Sequence, residues 1–175
     1  MKLESNRLIY EKVTQNLAKE LENVLCDAEV YQYVDNGVAP TPKELLESFK
    51  QREQGPPTDR QSEIWIDYII RIKTSQTAIG RVEATVVEHR AEVAYFIGTD
   101  FQRQGYGSEA LEWLEGFAIA NHNVTEFWAT VTPGNERSKQ FLLTNGYRLH
   151  TSDERPKLLS YDEGNLIFSK KPSSD

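Results

Sequence analysis

The stretch EVAYFIGTDFQRQGYG, residues 92–107, decides the fold that the sequence predicts. Residues 93–97 are apolar without a break, which is typical of a strand covered on both faces. A Q-x-x-G-x-G pattern, residues 102–107, follows the strand, and apolar residues then recur at helical spacing. The stretch therefore predicts a buried strand that passes through a glycine turn, residues 102–107, into a helix.

The glycine turn is a candidate site for a pyrophosphate group. Backbone N–H groups in such a turn can point at one spot, the helix dipole favours negative charge there, and Gly105 and Gly107 have no Cβ atom to keep a phosphate away. The spacing excludes two other phosphate loops, because no G-x-G-x-x-G is present and Ser108-Glu109 stand where a nucleoside-triphosphate loop needs a lysine. An ordinary strand–helix turn is the alternative at this point.

The composition predicts one globular domain, residues 1–175, without a membrane span or membrane partner. The chain is 38% hydrophobic and 27% charged, and no apolar run approaches the ~18 residues that cross a bilayer. The N-terminus has no apolar signal core and the single Cys26 cannot form an internal disulfide, so we expect a cytoplasmic protein. A net charge of −7 without a basic cluster argues against a nucleic-acid partner, and the three histidines lack paired ligand spacing, so no metal is assigned.

The first half of the chain predicts a strand, two helices and a meander of three strands. A strand over residues 3–13 leads to a helix that Thr14 is placed to cap, and a second helix begins near Thr41 and ends before Gly55. From Ile64 onward apolar residues alternate with a period of two, and short turns join the strands. These antiparallel strands cover residues 64–72, 79–87 and 93–97.

The second half predicts one parallel connection and a capped helix. A helix separates the strand at residues 93–97 from a strand at residues 126–132, so a parallel crossover is the economical connection. Asn135 can cap the next helix, and strands at residues 147–150 and 158–169 follow it. The whole is an α+β fold, with a mixed, mostly antiparallel central sheet that has one parallel crossover and is flanked by helices.

Three segments, in order, resemble one protein family. Residues 102–107, QRQGYG, fit the pattern [QR]-x-x-G-x-[GA] that follows a strand in the cofactor loop of the GNAT superfamily of N-acetyltransferases. Residues 5–9, SNRLI, are similar to the T-E-R-L-x-L opening of the branch that includes the ribosomal-protein N-terminal (Rim-type) acetyltransferases. Residues 132–138 and 145–147, TPGNERS and NGY, resemble the N-x-x-S…G-[FY] segment of that branch. The likeness spans residues 3–168.

The resemblance implies acetyl-CoA as the co-substrate and an amine, either a peptide N-terminus or a small amine, as the acceptor. In the family a splayed pair of strands, here residues 93–97 and 127–132, leaves backbone groups free for the pantetheine arm, and Ile97 and Thr99 would make those contacts. The residues expected to bind the rest of the cofactor are Gln102, Arg103, Gln104, Gly105, Tyr106, Gly107 and Ser108.

The catalytic residues that the resemblance implies depart from the common pattern at one position. Asn135 and Ser138 would reach the pantetheine and the thioester sulfur. Many members carry a tyrosine that protonates the departing thiolate, and here that position is Leu142. In the Rim-type branch the serine of N-x-x-S is the proposed substitute, so Ser138 is the predicted donor to the charge that develops on sulfur. Glu92 and Glu83, on or near the meander strands, are the nearest base candidates.

The lack of an obvious base favours an acceptor amine of low pKa. An α-amine with a pKa near 8 is about one-tenth neutral at pH 7, whereas a lysine near 10.4 is neutral in only about one part in a few thousand. The predicted function is therefore acetyl transfer from acetyl-CoA to an α-amine of a peptide or protein. Two alternatives are acetylation of a small-molecule amine, such as a polyamine or aminoglycoside, and a CoA-binding module without activity.

Overall fold

The computed structural model describes residues 3–34 and 37–172. Its strands are β1 (Leu8–Lys12), β2 (Glu63–Ile72), β3 (Ala78–Val87), β4 (Arg90–Ile97), β5 (Glu126–Val131), β6 (Arg148–Leu149) and β7 (Leu166–Lys170). Its helices are α1 (Glu22–Leu25), α2 (Pro42–Gln54), α3 (Tyr106–His122) and α4 (Glu136–Thr144). The strands form one seven-stranded sheet in the order β1-β2-β3-β4-β5-β7-β6.

The pairing of β4 with β5 differs from every other pairing in this sheet. These two neighbours are parallel, whereas the other neighbouring strands are antiparallel. Their ladder has three pairs, of which the last joins Glu92 to Trp128. Both strands continue beyond that pair, to Ile97 and Val131, so they diverge there. The predicted fold class, a mixed and mostly antiparallel sheet with one parallel crossover at a splayed pair, is confirmed.

Two apolar layers cover the faces of the sheet. In the larger layer, between the sheet and α3, the Tyr10 and Trp113 rings stack with centroids 3.7 Å apart. The second layer lies between the sheet and the helices α1 and α2, and it contains Leu25, Phe49 and Ile69. Because both faces are covered, the inner strands are apolar over long runs, as the sequence indicated.

The second predicted helix is confirmed, and its start has a complete capping box. The Thr41 hydroxyl accepts a hydrogen bond from Glu44 N at 3.3 Å, and Thr41 N donates to Glu44 Oε2 at 2.8 Å. Pro42 occupies the first helical position, where its missing N–H costs nothing. The helix ends at Gly55, whose φ of 86° is left-handed.

The single helix predicted after Thr14 is wrong. Residues 15–21 form two 3₁₀ turns before the short helix α1. Thr14 is extended but makes no side-chain capping bond. The N–H of Gln15, the first residue of this region, donates to Glu53 Oε2 on α2 at 2.9 Å, so a carboxylate from another helix satisfies one of the free N–H groups there.

The long final strand predicted at residues 158–169 is also wrong. Only β7 is a strand there, and the preceding residues 151–165 form a loop. The N–H groups of Leu159 and Ser160 donate to the side chain of Glu92, at 2.6 and 2.9 Å. These N–H groups are therefore satisfied by a carboxylate rather than by a neighbouring strand.

None of the helices formed by residues 3–34 and 37–172 is long and apolar enough to cross a membrane. Within the same residues, His, Cys, Asp and Glu side chains form no group of three or more that could hold a metal ion. The ring of His150, for example, lies against that of Trp128, with centroids 4.7 Å apart.

Candidate active site

An open cleft of about 710 Å³ lies where β4 and β5 diverge. Its floor consists of residues 93–97 of β4 and 129–132 at the end of β5. The glycine turn, α4 and residues from two loops, 30–34 and 159–165, form its walls. Because the facing edges of the two strands make no ladder pair with each other here, their backbone groups can pair with an extended ligand.

The glycine turn has the backbone geometry that a phosphate group requires. Gly105 has a left-handed φ of +82°, and a Cβ atom on Gly107 would lie 3.1 Å from the Phe141 ring on α4. The bond from Glu109 N to Gly105 O, at 3.1 Å, is the first of the helical type in α3. The N–H groups of residues 106–108 precede it, so they have no partner inside the helix and lie at its positive end. These residues fit a pyrophosphate group.

Side chains from distant parts of the sequence hold the glycine turn. Arg7 Nη1 donates to the carbonyl of Gln104 at 2.9 Å. Gln102 Nε2 donates to the carbonyl of Ile97, the last residue of β4, at 2.9 Å. Arg137 on α4, which the sequence analysis did not single out, donates to Gln102 Oε1 at 2.5 Å. The side chain of Gln102 therefore links the strand end to α4.

The other residues predicted to bind the cofactor differ in where they lie. Those in the lining of the cleft are Ile97, Gln102, Arg103, Gly105, Gly107 and Ser108. Those outside the lining are Thr99, Gln104 and Tyr106. The Thr99 hydroxyl donates to Asp27 Oδ2 at 3.2 Å. Arg103 and Arg137 place two positive charges in the lining beside the glycine turn. Their individual contributions to cofactor binding stay predictions.

The start of α4 places Ser138 in the cleft. Asn135 Oδ1 accepts a hydrogen bond from Ser138 N at 3.1 Å, so Asn135 caps the helix as predicted. Ser138 lies in the first turn of α4, and both residues line the cleft. The Ser138 hydroxyl lies 2.9 Å from the hydroxyl of Tyr95 on the diverging part of β4. A hydroxyl donor is thus present beside the splayed strands.

The sequence analysis missed Tyr95. Burial raises the pKa of this phenol to about 12, so it is protonated at neutral pH. Its ring packs against Phe141 of α4, with centroids 4.3 Å apart. Strand alternation could have placed Tyr95 on the same face as Val93 and Ile97, but the contact with α4 required the folded structure. Leu142, where the family's tyrosine was expected, is 1% exposed.

Glu92 anchors a loop. Its carboxylate accepts hydrogen bonds from the N–H groups of Leu159 and Ser160, and from the Ser160 hydroxyl. The side chain is not part of the cleft lining. To act as a base, Glu92 would have to exchange one of these partners for the acceptor amine, and that role stays a prediction.

Glu83 belongs to a group of charges under α2. Arg81 Nε and Nη2 donate to the two carboxylate oxygens of Asp67, at 2.7 and 2.6 Å, and Nη2 also contacts Glu83. Arg52 on α2 lies 3.6 Å from both acids. Burial raises the pKa of Asp67, although the neighbouring Arg81 opposes that effect. The two carboxylates and the two guanidinium groups have equal and opposite charge. A role for Glu83 as a base also stays a prediction.

The fold and the cleft match a known class of enzyme. The family description "Acetyltransferase (GNAT) domain" matches residues 7–148, so the chain belongs to the GNAT acetyltransferase family. The protein is an N-acetyltransferase that uses acetyl-CoA as its co-substrate, as the resemblance implied. This membership agrees with the splayed strand pair and with the glycine turn at the start of α3.

Many solved structures share this fold, and three of them illustrate the likeness. One is an acetyltransferase of the GNAT family from Bacillus anthracis, with a TM-score of 0.75, 15% identity and 98% of each chain covered. Another is RimL, a ribosomal L7/L12 alpha-N-protein acetyltransferase in complex with coenzyme A. Its TM-score is 0.73, its sequence identity is 17%, and 95% of each chain is covered. The third is the microcin C7 self-immunity acetyltransferase MccE, in complex with acetyl-CoA and AMP. Its TM-score is 0.72 and its sequence identity is 16%, with 96% of this chain and 94% of that one covered. Comparison with curated proteins by sequence gave no match.

Proposed function

We propose that this N-acetyltransferase acts on the α-amine of a peptide or protein. One observation carries the proposal: the cleft contains a hydroxyl donor at Ser138, whereas the base candidates Glu92 and Glu83 are engaged elsewhere in the protein. An acceptor that is already partly neutral needs no strong base. The alpha-N activity in the name of RimL, which has the same fold, agrees with this proposal.

The protonation equilibrium of the amine decides how much help it needs. Only the neutral amine can attack the thioester carbonyl. An α-amine with a pKa near 8 is about one-tenth neutral at pH 7, and the neutral fraction of a lysine with a pKa near 10.4 is about 250-fold smaller. Placement of the amine beside the thioester is then the main contribution required of the protein.

Charges in the cleft lining support an orientation for the two substrates. Arg103 and Arg137 lie beside the glycine turn, where the phosphates of acetyl-CoA would bind. Asp162, on the loop that Glu92 anchors, is the one acidic residue in the described lining, and its side chain is exposed. A carboxylate at that rim attracts a cationic amine from solvent.

The chemical step needs a donor at the sulfur of acetyl-CoA. The amine nitrogen bonds to the carbonyl carbon, the C–S bond breaks, and its electron pair goes to sulfur. The Ser138 hydroxyl donates a hydrogen bond to that sulfur as negative charge develops. The proton lost by nitrogen passes to solvent and balances the proton that finally makes the CoA thiol.

A peptide with one free N-terminus and one lysine tests the acceptor. We expect mass spectrometry to show faster acetylation of the α-amine than of the lysine at neutral pH. The difference should shrink as the pH rises toward about 9, because the α-amine is then almost fully neutral while the lysine still gains neutral fraction. The same peptide with a formylated N-terminus is the control.

Two outcomes would change the proposal. Acetylation of the lysine alone at neutral pH would overturn it and indicate a dedicated base, for which Glu92 and Glu83 are the first residues to mutate. No reaction with any peptide, together with turnover of a polyamine or aminoglycoside, would assign the enzyme to small-molecule amines. Consumption of acetyl-CoA against a panel of both acceptor types therefore belongs in the same assay.

A further inference from the structure

The hydroxyl of Tyr95, on the floor of the cleft, and the hydroxyl of Ser138, on the wall that α4 forms, form a pair with their oxygens 2.9 Å apart. We propose that Tyr95 is a positioning residue: it donates its hydrogen bond to Ser138 Oγ, so that the proton of Ser138 is free to point at the sulfur of acetyl-CoA. This inference rests on the role proposed above for Ser138. It states which of the two hydroxyls is the donor in the Tyr95–Ser138 hydrogen bond, a bond that the sequence analysis did not find.

The donor and acceptor capacities of the two hydroxyls favour this direction. A serine hydroxyl has one proton and two lone pairs, so Ser138 can accept from Tyr95 and still donate to a ligand. In the opposite arrangement the Ser138 proton would be directed at Tyr95 and away from the cleft. A phenol is the more acidic of the two hydroxyls, and the more acidic partner is the better donor.

The surroundings keep Tyr95 protonated and fixed. Burial raises the pKa of its hydroxyl to about 12, while the nearby charge of Arg137 partly opposes that rise. No acidic side chain contributes to the shift. The phenol therefore keeps its proton over the pH range in which an amine is acetylated.

Packing fixes the position of the Tyr95–Ser138 pair relative to the glycine turn. The Tyr95 ring lies against Phe141, which is three residues after Ser138 on α4 and therefore on the same side of that helix. The Phe141 ring also lies against Gly107, where an added Cβ atom would be 3.1 Å away. One aromatic ring thus contacts both the glycine turn and the Tyr95 side chain.

In this arrangement Tyr95 and Ser138 donate hydrogen bonds, and each keeps its own proton through the reaction. When the C–S bond breaks, the electron pair goes to sulfur, Ser138 donates to it, and Tyr95 donates to the Ser138 oxygen. Donation by Tyr95 makes the Ser138 proton a stronger donor, because successive hydrogen bonds polarise one another. The CoA thiol finally takes up the equivalent of the proton that the amine nitrogen releases.

A double-mutant cycle tests the inference. Tyr95→Phe removes one hydroxyl and keeps the ring, so we expect kcat to fall about 3- to 10-fold, the size of one hydrogen bond, with the KM for acetyl-CoA unchanged. In the S138A background the same change should alter kcat less than about 2-fold, because its target is absent. Tyr147→Phe is the matched control, since that buried phenol donates to Glu115 at 2.8 Å and does not line the cleft.

Each other outcome overturns the inference in a distinguishable way. An equal loss of kcat from Tyr95→Phe in the wild-type and S138A backgrounds would show that Tyr95 acts independently of Ser138. An unchanged kcat in Tyr95→Phe, or an equal loss in Tyr147→Phe, would show that the pair is structural. The wild-type enzyme is the reference: its failure to turn over any amine would overturn the proposed function, and the inference with it.

Discussion

The two ends of the cleft are built by different means. At the phosphate end, six consecutive residues of the glycine turn supply the backbone conformation and Arg7 and Arg137 brace it. At the opposite end, where we propose that the acceptor binds, two loops contact the sheet through single side chains: Thr132 donates to the carbonyl of Tyr33 at 2.8 Å, and Glu92 accepts from the N–H groups of Leu159 and Ser160. The first end is local in sequence, and the second is assembled from separate segments.

This difference explains why the co-substrate is easier to predict than the acceptor. Phosphates are bound largely by backbone N–H groups, and a backbone conformation leaves a recognisable glycine pattern. An acceptor is recognised by side chains on loops, which tolerate sequence change and have no fixed spacing. Mutations at the two ends should therefore separate cofactor binding from acceptor binding.

The largest effect is expected at the glycine turn. Gly107→Val should abolish binding of acetyl-CoA, because its side chain would meet the Phe141 ring and fill the approach to the helix N-terminus. In the wild type, acetyl-CoA at about 100 times its Kd should stabilise the fold by roughly 2.7 kcal/mol, and the variant should show no shift in Tm.

A second glycine controls for loss of stability alone. Gly55→Ala strains a left-handed φ of +86° at the end of α2, but nothing lies within 4 Å of the added Cβ atom. It should lower the Tm and keep the acetyl-CoA shift. Normal binding by Gly107→Val would show that no phosphate approaches the backbone there.

The next effect lies between the two ends, at Ser138. Ser138→Ala should lower kcat by about 10²-fold and leave the affinity for acetyl-CoA nearly unchanged, since the hydroxyl acts mainly in the transition state. Steady-state kinetics with a saturating amine measures kcat and the KM for acetyl-CoA, and the shift in Tm with acetyl-CoA concentration measures the affinity. Ser108→Ala, which removes a hydroxyl from the cleft lining beside the glycine turn, should instead weaken acetyl-CoA binding. A higher KM for acetyl-CoA at unchanged kcat in Ser138→Ala would assign Ser138 to binding.

A smaller effect is expected at the acceptor end. Glu92→Ala removes the partner of the N–H groups of Leu159 and Ser160, so the loop should loosen and the KM for the amine should rise several-fold. The Kd for acetyl-CoA should not change. If Glu92 is instead the base, kcat should fall by about 10²- to 10⁴-fold and increase steadily with pH. The pH–rate profile of the variant separates these two results.

The smallest effect is expected at Glu109, which accepts a hydrogen bond from Arg7 Nε at 2.7 Å, while Arg7 Nη1 donates to the glycine turn. Burial alone would raise the pKa of Glu109, but hydrogen bonds from Ser5 and Arg7 lower it overall, below its ordinary value of 4.5. A folded-state pKa below the ordinary one stabilises the fold fully above the ordinary value of 4.5, and the contribution is lost as the pH falls through the folded-state pKa. The stability difference between wild type and Glu109→Gln should therefore be largest near neutral pH and decline below about pH 4.5. A difference that stays constant into acid would show that the charge of Glu109 contributes nothing.

Much of the fold followed from local patterns. The period of two in β2 and β3, the apolar run of β4 and the helical spacing of α3 predicted these elements and the mixed sheet that they form. The predictions failed where a distant side chain took over a backbone group: Glu53 at the start of the first helical region, and Glu92 at residues 159–160. Neither replacement has a signature in the affected segment.

The sequence by itself determined the strand–turn–helix at residues 92–107, because glycine conformation and hydrophobic period are properties of neighbouring residues. It also indicated Ser138, through a resemblance at fixed spacing. Only the tertiary structure decided the partners of these residues: Tyr95 for Ser138, Glu92 for Leu159 and Arg7 for Glu109, which are separated by 43, 67 and 102 positions. Contacts of that range exist only once the sheet has brought its strands into register, so no local pattern can specify them.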